Sequence, residues 1–338
     1  MTVGISGYGV YVPRLRIKKE EYAKAWGSFA ASGVAEKSLM GFDEDVLTSA
    51  AKAAGRALES VPMGPEEITR FALASTSAPY VEKLLSGTVM VNLGVPSGAF
   101  CSDHTTSSRS GSEAIISSWE HVQSNPSGIA LVAIADAPKS SMWSTLEHGL
   151  GAGSAAFVLS TGNLIAEFEG HASFANEHFG ERFRPSDDQL IHDLNVKKFA
   201  QSSFVGNTTK AGGALMKKIG SKPDEYAHVV IQQPDARSPS AVAKKLGFKD
   251  EQMASCMVSK ELGDLGAAST AVALAAALDS AKVGERIFVV SYGSGAASDA
   301  ISLKVVGDRK ARNSVRDEVE RKEYIDYVQY LKLKGAIR

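Results

Sequence analysis

The chain has 338 residues, 44% hydrophobic and 22% charged, long enough for one large domain or two ordinary ones. Its 37 Lys and Arg residues nearly balance 38 Asp and Glu, which gives no electrostatic basis for nucleic-acid binding. Two cysteines, Cys101 and Cys256, are too few for a disulfide scaffold or a cysteine-based zinc site. The apolar run 267–278 is too short to span a membrane, and the N-terminus lacks a signal-peptide pattern. We therefore expect a cytoplasmic protein that binds neither nucleic acid nor membrane.

Strand and helix patterns alternate from the N-terminus onward. Apolar, strand-like runs occur at residues 3–12, 71–75, 129–134, 155–159, 229–232 and 287–290. Helical patterns occur at residues 43–58, 111–122, 210–219 and 267–278. Unbroken apolar strands between helices indicate a parallel or mixed sheet that is covered on both faces. The sequence predicts an α/β fold.

The two halves of the chain repeat the same pattern. An offset of 156 residues relates Thr76 to Gln232, each just after an apolar strand, and Ser108 to Asp264. We interpret this as two similar α/β halves, residues 1–162 and 163–306. The alternative is that ordinary α/β alternation produces such matches by chance.

Two further segments differ in composition from the alternating strands and helices. The tail, residues 307–338, is rich in charge and carries Tyr324, Tyr327 and Tyr330 at helical spacing. It is either a surface helix on its own domain or an arm that docks on a partner, and we expect the partner contact. The polar segment 174–198 is either an excursion near the mouth of a site or an interface.

The most informative stretch is CSDHTTSSRSGSEAIISSWEHV, residues 101–122. A strand passes through a Ser/Thr-rich turn into an amphipathic helix, whose N-terminus would favour an anionic nucleophile. The turn offers Ser107 and Ser108 where many acyl-transferring enzymes have a cysteine. The alternative is structural, with Ser108 and Ser110 capping and starting the helix, and we favour it.

Motifs over the whole chain resemble one family. They are VGISGYGVYVPRLRIKKEEYAKAWG, FDEDVLTSAAKAAGRAL, STSAPY, SGSEAI, GLGAGSAAFVLS, QQPDARSPSAVAKKLG, VSYGSGAASDA and VERKEYIDYVQYLK. In this order they resemble the thiolase superfamily, and within it the 3-hydroxy-3-methylglutaryl-CoA (HMG-CoA) synthase branch of archaeal and bacterial type. The resemblance implies a five-layered αβαβα fold made of two similar halves.

The resemblance also implies where chemistry would occur, and these positions have changed. Ser108 aligns with the family's nucleophilic cysteine, Thr76 with its general-acid/base glutamate, and Gln232 with its histidine. Asp264 aligns with an asparagine. A serine hydroxyl needs a positioned base, which glutamine and threonine cannot supply. We therefore expect no catalytic residue among these four positions.

Other chemistry-bearing residues add little. Cys101 is expected to be a buried strand residue, and Asp103 and His104 should point to opposite faces of their strand. His104 is a weak candidate base for Ser108. The histidines show no metal-ligand spacing, so we expect no metal site. The resemblance makes acyl-CoA the candidate ligand, without identifying the residues that would bind it.

The changed positions guide the prediction of function. The chain resembles the catalytically degenerate synthase-like subunits of diacetylphloroglucinol-type acetyltransferase complexes. That resemblance implies a non-catalytic subunit of a multi-subunit acyltransferase complex, acting on acyl-CoA or acyl-ketone substrates. Its expected partners are a thiolase-like subunit that does the chemistry, a small OB-fold/zinc-ribbon subunit, and a second copy of the chain. The alternative is an active condensing enzyme, an HMG-CoA synthase or acyltransferase, that uses Ser108 for acyl transfer.

Overall fold

A computed structural model describes residues 2–27, 32–176, 182–194 and 201–337. Its strands are β1 (Gly4–Tyr11), β2 (Leu15–Lys18), β3 (Glu36–Leu39), β4 (Arg70–Ala74), β5 (Phe100–His104), β6 (Ala130–Asp136), β7 (Gly153–Ser160), β8 (Ala166–Ala175), β9 (His228–Ile231), β10 (Arg286–Val290), β11 (Ala297–Val305) and β12 (Glu323–Tyr324). Its helices are α1 (Lys19–Trp26), α2 (Val46–Glu59), α3 (Leu85–Asn92), α4 (Ser110–Ser124), α5 (Gly206–Ile219), α6 (Ser238–Leu246), α7 (Asp250–Met253), α8 (Ser259–Leu262), α9 (Ser269–Ser280), α10 (Val315–Glu320) and α11 (Tyr327–Leu333). In this part of the chain, no helix combines the length and apolar character needed to cross a bilayer.

Nine of the described strands form one mixed sheet in the order β5-β4-β6-β7-β1-β8-β11-β10-β9. Strands β4, β5 and β6 run parallel, as do β9 and β10, and the other neighbours are antiparallel. Two residue pairs, Gly4 with Glu167 and Ile5 with Ala166, join the halves between β1 and β8. The mixed sheet predicted from the apolar runs is confirmed.

The same arrangement occurs twice. The order β4-β6-β7-β1 in the first half matches β9-β10-β11-β8 in the second. The offset of 156 carries α4 onto residues 266–280, which form a short 3₁₀ turn, Gly266–Ala268, followed by α9. Strand β5 has no counterpart among the described residues of the second half. The exact boundaries at residues 162 and 306 stay a prediction.

Helices and strands stack in five layers, and three apolar clusters hold these layers together. One packs α2 and α3 on the strands of the first half, and one packs α5 and α6 on those of the second. The largest lies between them, around α4 and α9. Ten of the twelve residues of α9 are buried, which explains why it is apolar and Ala-rich all round. The predicted αβαβα architecture is confirmed.

Local sequence explains where α2 begins. Asp45 and Thr48 form a capping box, in which the Thr48 amide donates to Asp45 Oδ1 at 2.8 Å and the Asp45 amide donates to Thr48 Oγ1 at 2.8 Å. The buried face of α2 consists mainly of alanine, which lets the helix lie close to β1. The predicted start at residue 43 was three residues early because Asp45 caps the helix from outside it.

The tail folds back on its own chain. Strand β12 pairs with β2, and Val315 and Val319 of α10 enter the central cluster. Tyr327 and Tyr330 of α11 are buried with Tyr22 of α1. Residues of the same chain therefore cover Tyr327 and Tyr330, while Tyr324 is 45% exposed, and the expected contact of the tail with a partner stays a prediction.

Candidate functional site

The Gly266–Ala268 turn is where three of the four family positions meet. Thr76 follows β4, Gln232 follows β9, and Asp264 comes just before the turn. The carboxyl ends of parallel strands lie at the same edge of a sheet, which brings these side chains together. Each is tied to the turn, directly or through one other residue.

Thr76 reaches the turn through Asp136, the last residue of β6. Thr76 Oγ1 donates to Asp136 Oδ2 at 2.6 Å, and the Ala267 amide donates to the same oxygen at 2.7 Å. The Ser77 hydroxyl also donates to this carboxylate, which has no solvent exposure. A carboxylate that accepts this many hydrogen bonds is held in place as a structural acceptor.

Gln232 is 3% exposed and contacts the same turn. Its Nε2 donates to the Gly266 carbonyl at 3.0 Å. Its Oε1 is buried and has no hydrogen-bond partner among the described residues. An amide in this place can orient a neighbour, but it cannot accept and return a proton as histidine does.

Asp264 forms an ion pair. Its Oδ1 accepts the Gly266 amide at 2.9 Å, and its Oδ2 lies 2.6 Å from Arg182 Nη1. Arg182 belongs to the polar segment 174–198, so the described part of that segment does reach the site. Residues 177–181 and 195–198 of the segment lie outside the described residues.

Ser108 occupies the turn before α4, beside the second-half loop that follows β10. Its Oγ donates to the Tyr292 carbonyl at 2.9 Å. Gly293 allows this approach, since a Cβ there would lie 2.1 Å from Ser107 Oγ. Thr106 has a φ of 80°, a left-handed conformation that is unfavourable for a β-branched residue, so the turn is under local strain.

The prediction that Ser108 and Ser110 cap and start α4 holds only in part, because Ser110 is the first residue of the helix but neither serine caps it. The residue at the cap position is Arg109, which makes no side-chain capping bond. Ser110 Oγ is buried without a hydrogen-bond partner among the described residues. The close approach of the Tyr292 carbonyl draws the Ser108 hydroxyl away from the helix amides.

An ion pair beside the turn was not found by sequence reasoning. Arg109 Nε lies 2.8 Å from Oδ2 of the fully buried Asp299, and Nη2 lies 3.1 Å from Oδ1. Ser112 and Ser173 donate to the same carboxylate at 2.7 and 2.6 Å. This network fixes the start of α4 against β8 and β11 and leaves the Asp299 carboxylate fully engaged.

Cys101 lies on β5 as predicted but is half-buried, because β5 is the edge strand of the sheet. The other weak candidates behave as expected. The Asp103 carboxylate accepts the Leu85 and Ser86 amides at the start of α3, while His104 lies on the other face of β5. His104 Nε2 is 3.3 Å from Ser102 Oγ, so the imidazole contacts that serine rather than Ser108. Burial lowers the pKa of His104. Burial raises the pKa of the Cys256 thiol to about 11, which makes it unreactive near neutral pH.

Comparison with known proteins identifies the family. The chain is 34% identical to the hydroxymethylglutaryl-CoA synthase of Archaeoglobus fulgidus, with 99% of each protein covered. The chain belongs to the hydroxymethylglutaryl-CoA synthase family. Residues 216–305 also match the family model of the C-terminal part of 3-oxoacyl-[acyl-carrier-protein] synthase III.

Solved structures of HMG-CoA synthases share the fold. A structure of HMG-CoA synthase complexed with CoA superposes with a TM-score of 0.88 at 19% identity, covering 98% of this chain and 90% of that one. MvaS in complex with 3-hydroxy-3-methylglutaryl coenzyme A gives a TM-score of 0.86 at 20% identity, covering 98% and 91%. The chain is therefore HMG-CoA synthase-like from end to end, and its fold is that of the thiolase superfamily.

Proposed function

We propose that this chain is an HMG-CoA synthase-like subunit without thioester chemistry of its own. It would serve a cytoplasmic acyltransferase complex that acts on acyl-CoA or acyl-ketone substrates. A thiolase-like partner would carry out the reaction, and a small OB-fold/zinc-ribbon subunit and a second copy of the chain would complete the assembly. The resemblance drawn from the sequence motifs supplies these partners.

One observation carries the proposal. The Ser108 hydroxyl donates its hydrogen bond to the Tyr292 carbonyl, and a backbone carbonyl cannot take up the proton of an attacking nucleophile. The neighbouring family positions do not compensate, because Gln232 is an amide and Thr76 donates to an already engaged carboxylate. A nucleophile and its proton-transfer partners act as a unit, so their joint replacement weighs against residual activity.

The second candidate is a condensing enzyme that uses Ser108. Full-length relatives at 32–34% identity are named hydroxymethylglutaryl-CoA synthase, and these names favour the second candidate over the first. The position of Ser108 at the start of α4 is also suited to an anion. Acyl-CoA is the proposed ligand under both candidates, since solved relatives hold CoA and HMG-CoA.

Acetyl transfer from acetyl-CoA distinguishes the two candidate functions. The purified chain is incubated with acetyl-CoA and its intact mass is measured, alongside Ser108→Ala and, as the matched control from the same turn, Ser107→Ala. The proposed function predicts no acetyl adduct on any of the three proteins. An adduct on the native chain and on Ser107→Ala that disappears in Ser108→Ala would replace it with the condensing enzyme.

Assembly is tested separately. Copurification of the tagged chain from its native source should recover a thiolase-like and an OB-fold protein. In the assembled complex, Ser108→Ala should leave acyl transfer nearly unchanged. A loss of more than about 100-fold, the size expected when a nucleophile or proton-transfer group is removed, would contradict a silent site.

A further inference from the structure

Residues 182–192 form a hairpin that is folded on itself. The Phe183 amide donates to the His192 carbonyl at 2.9 Å, and the His192 amide donates back to the Phe183 carbonyl at 2.8 Å. At the tip, the Asp188 amide donates to the Pro185 carbonyl at 3.2 Å, and Asp188 Oδ2 lies 2.6 Å from His192 Nε2. These bonds make the 182–192 hairpin a unit that can attach or detach as a whole.

Three contacts attach this hairpin to the site. Arg182 pairs with Asp264, and Arg184 Nη2 donates to the Thr76 carbonyl. The Ile191 amide donates to the Lys139 carbonyl at 2.7 Å. Thr76 belongs to the first half of the chain and Asp264 to the second. The hairpin therefore spans both halves and is attached to two of the four changed family positions.

Among these contacts, the ion pair involves the most buried charge. The Asp264 side chain is only 4% exposed, and its carboxylate accepts one amide besides the arginine. An ionised carboxylate at this depth is costly unless a cation accompanies it. An asparagine, the residue type that the family resemblance implies here, would be neutral and would not require a partner. The change to aspartate therefore creates a reason for Arg182 to stay in the site.

We propose that the Arg182–Asp264 ion pair is a latch that holds the 182–192 hairpin across the site. Asp264 is then a positioning residue. Its charge takes no part in chemistry and instead keeps the hairpin closed over the Thr76 side of the site. A thioester that approaches Thr76 meets the hairpin first and reaches the strand ends only when the latch opens. The inference rests on the proposed function in one respect, that Asp264 has no part in chemistry.

Accessibility of position 76 tests the latch. A Thr76→Cys reporter is alkylated with iodoacetamide, and the rate at residue 76 is followed by peptide mass. Native Cys101, half-buried on β5, is the internal control in the same molecule. Adding Asp264→Asn or Arg182→Met should raise the rate at residue 76 at least about 10-fold and leave Cys101 unchanged, because each removes one side of a buried pair.

Two further variants make the result specific. Arg182→Lys keeps the cation and should restore a rate close to that of the latched protein. Arg316→Met breaks an exposed ion pair with Glu261 on α8 and should have no effect at residue 76. Equal rates in all variants, an equal rise at Cys101, or no rescue by Arg182→Lys would each overturn the proposal.

Hydrogen exchange provides a measurement that does not need the reporter. In the otherwise native chain, Asp264→Asn should speed exchange of the Ile191 amide, which donates to Lys139 outside the hairpin, at least about 10-fold, while α4 keeps its protection. Uniform acceleration across the protein would show general destabilisation and refute a local latch. An acetyl adduct on Ser108 would refute the proposed function without changing these rates, so the two failures are distinguishable.

Discussion

The stability of this protein should depend on pH through one buried lysine. Lys37 of β3 is 2% exposed, and its ammonium contacts the Glu147 carbonyl and lies 4.7 Å from the centre of the Tyr330 ring. Burial and, to a smaller extent, the nearby Lys334 ammonium lower the pKa of Lys37 from 10.5 to about 7, against the opposing effect of the Glu147 carboxylate. The folded protein therefore holds this proton less tightly than the unfolded chain does.

The sign and size follow from proton linkage. Between pH 7 and pH 10 the unfolded chain carries the proton on Lys37 and the folded chain increasingly lacks it, so the free energy of unfolding rises with pH. For a pKa near 7 in the folded state and near 10.5 in the unfolded state, the rise over this range is about 3–4 kcal/mol. Replacing Lys37 by methionine removes this contribution.

The contribution of Lys37 to stability is measured by urea unfolding, followed by circular dichroism at pH 7, 8, 9 and 10. The free energy of unfolding of Lys37→Met relative to the native chain should be highest at pH 7 and should fall by about 3–4 kcal/mol by pH 10. Lys24→Met on the surface of α1 is the matched control and should parallel the native chain. Parallel pH profiles for Lys37→Met and the native protein would refute the argument that Lys37 is deprotonated by burial.

Three further outcomes are expected. Arg109→Met leaves the buried Asp299 carboxylate without its cation and should cost about 3–5 kcal/mol of unfolding free energy, against less than about 1 kcal/mol for the exposed Arg316→Met. Tyr330→Ala should cost about 3–5 kcal/mol by urea titration, and a value near zero would mean that α11 does not pack as described. Truncation after Val306 should lower the melting temperature by at least about 10 °C, since it exposes apolar surface that the tail now covers. A truncated chain that melts like the full one would contradict this packing and favour the tail as a partner-binding arm.

The elements that could be predicted from the sequence are those whose side chains all lie in the same environment, the apolar core. Strand β6 is buried along its whole length and α9 on all sides, so unbroken apolar runs identified both. Strands β8 and β11 escaped because they carry serine, glutamate, histidine and lysine among apolar residues. Strand β8 mixes buried, half-buried and exposed positions, and Asp299 within β11 is buried with Arg109, Ser112 and Ser173 as its partners. Pairing with a distant residue leaves no local pattern.

The residues of the candidate site were likewise predictable only in part. The four changed positions could be named because motifs lie around them, and they predicted the loss of proton-transfer groups. Asp136 could have been found from its place at the end of the apolar strand β6, which pairs with the strand that leads to Thr76. Arg182 could not, because it lies 82 residues from Asp264 in a polar segment without periodicity. The burial of the tail tyrosines was equally hidden, since an amphipathic stripe does not say which surface covers it.

The position of β1 in the sheet has a consequence for synthesis. All eight residues of this strand are buried, and its partners are β7 and β8, so that Ser6 contacts Val158 across 152 residues of chain. At roughly 5–20 residues per second, the ribosome makes β1 about 8–30 s before β7, the nearer of its two partners along the chain. During this interval β1 is an apolar segment with both edges open, and pairing with another nascent chain competes with folding. Strand β1 thus waits for its partners until about half of the 338 residues are made, and crowding of nascent chains should reduce the yield of folded protein more than it changes the stability of the finished fold.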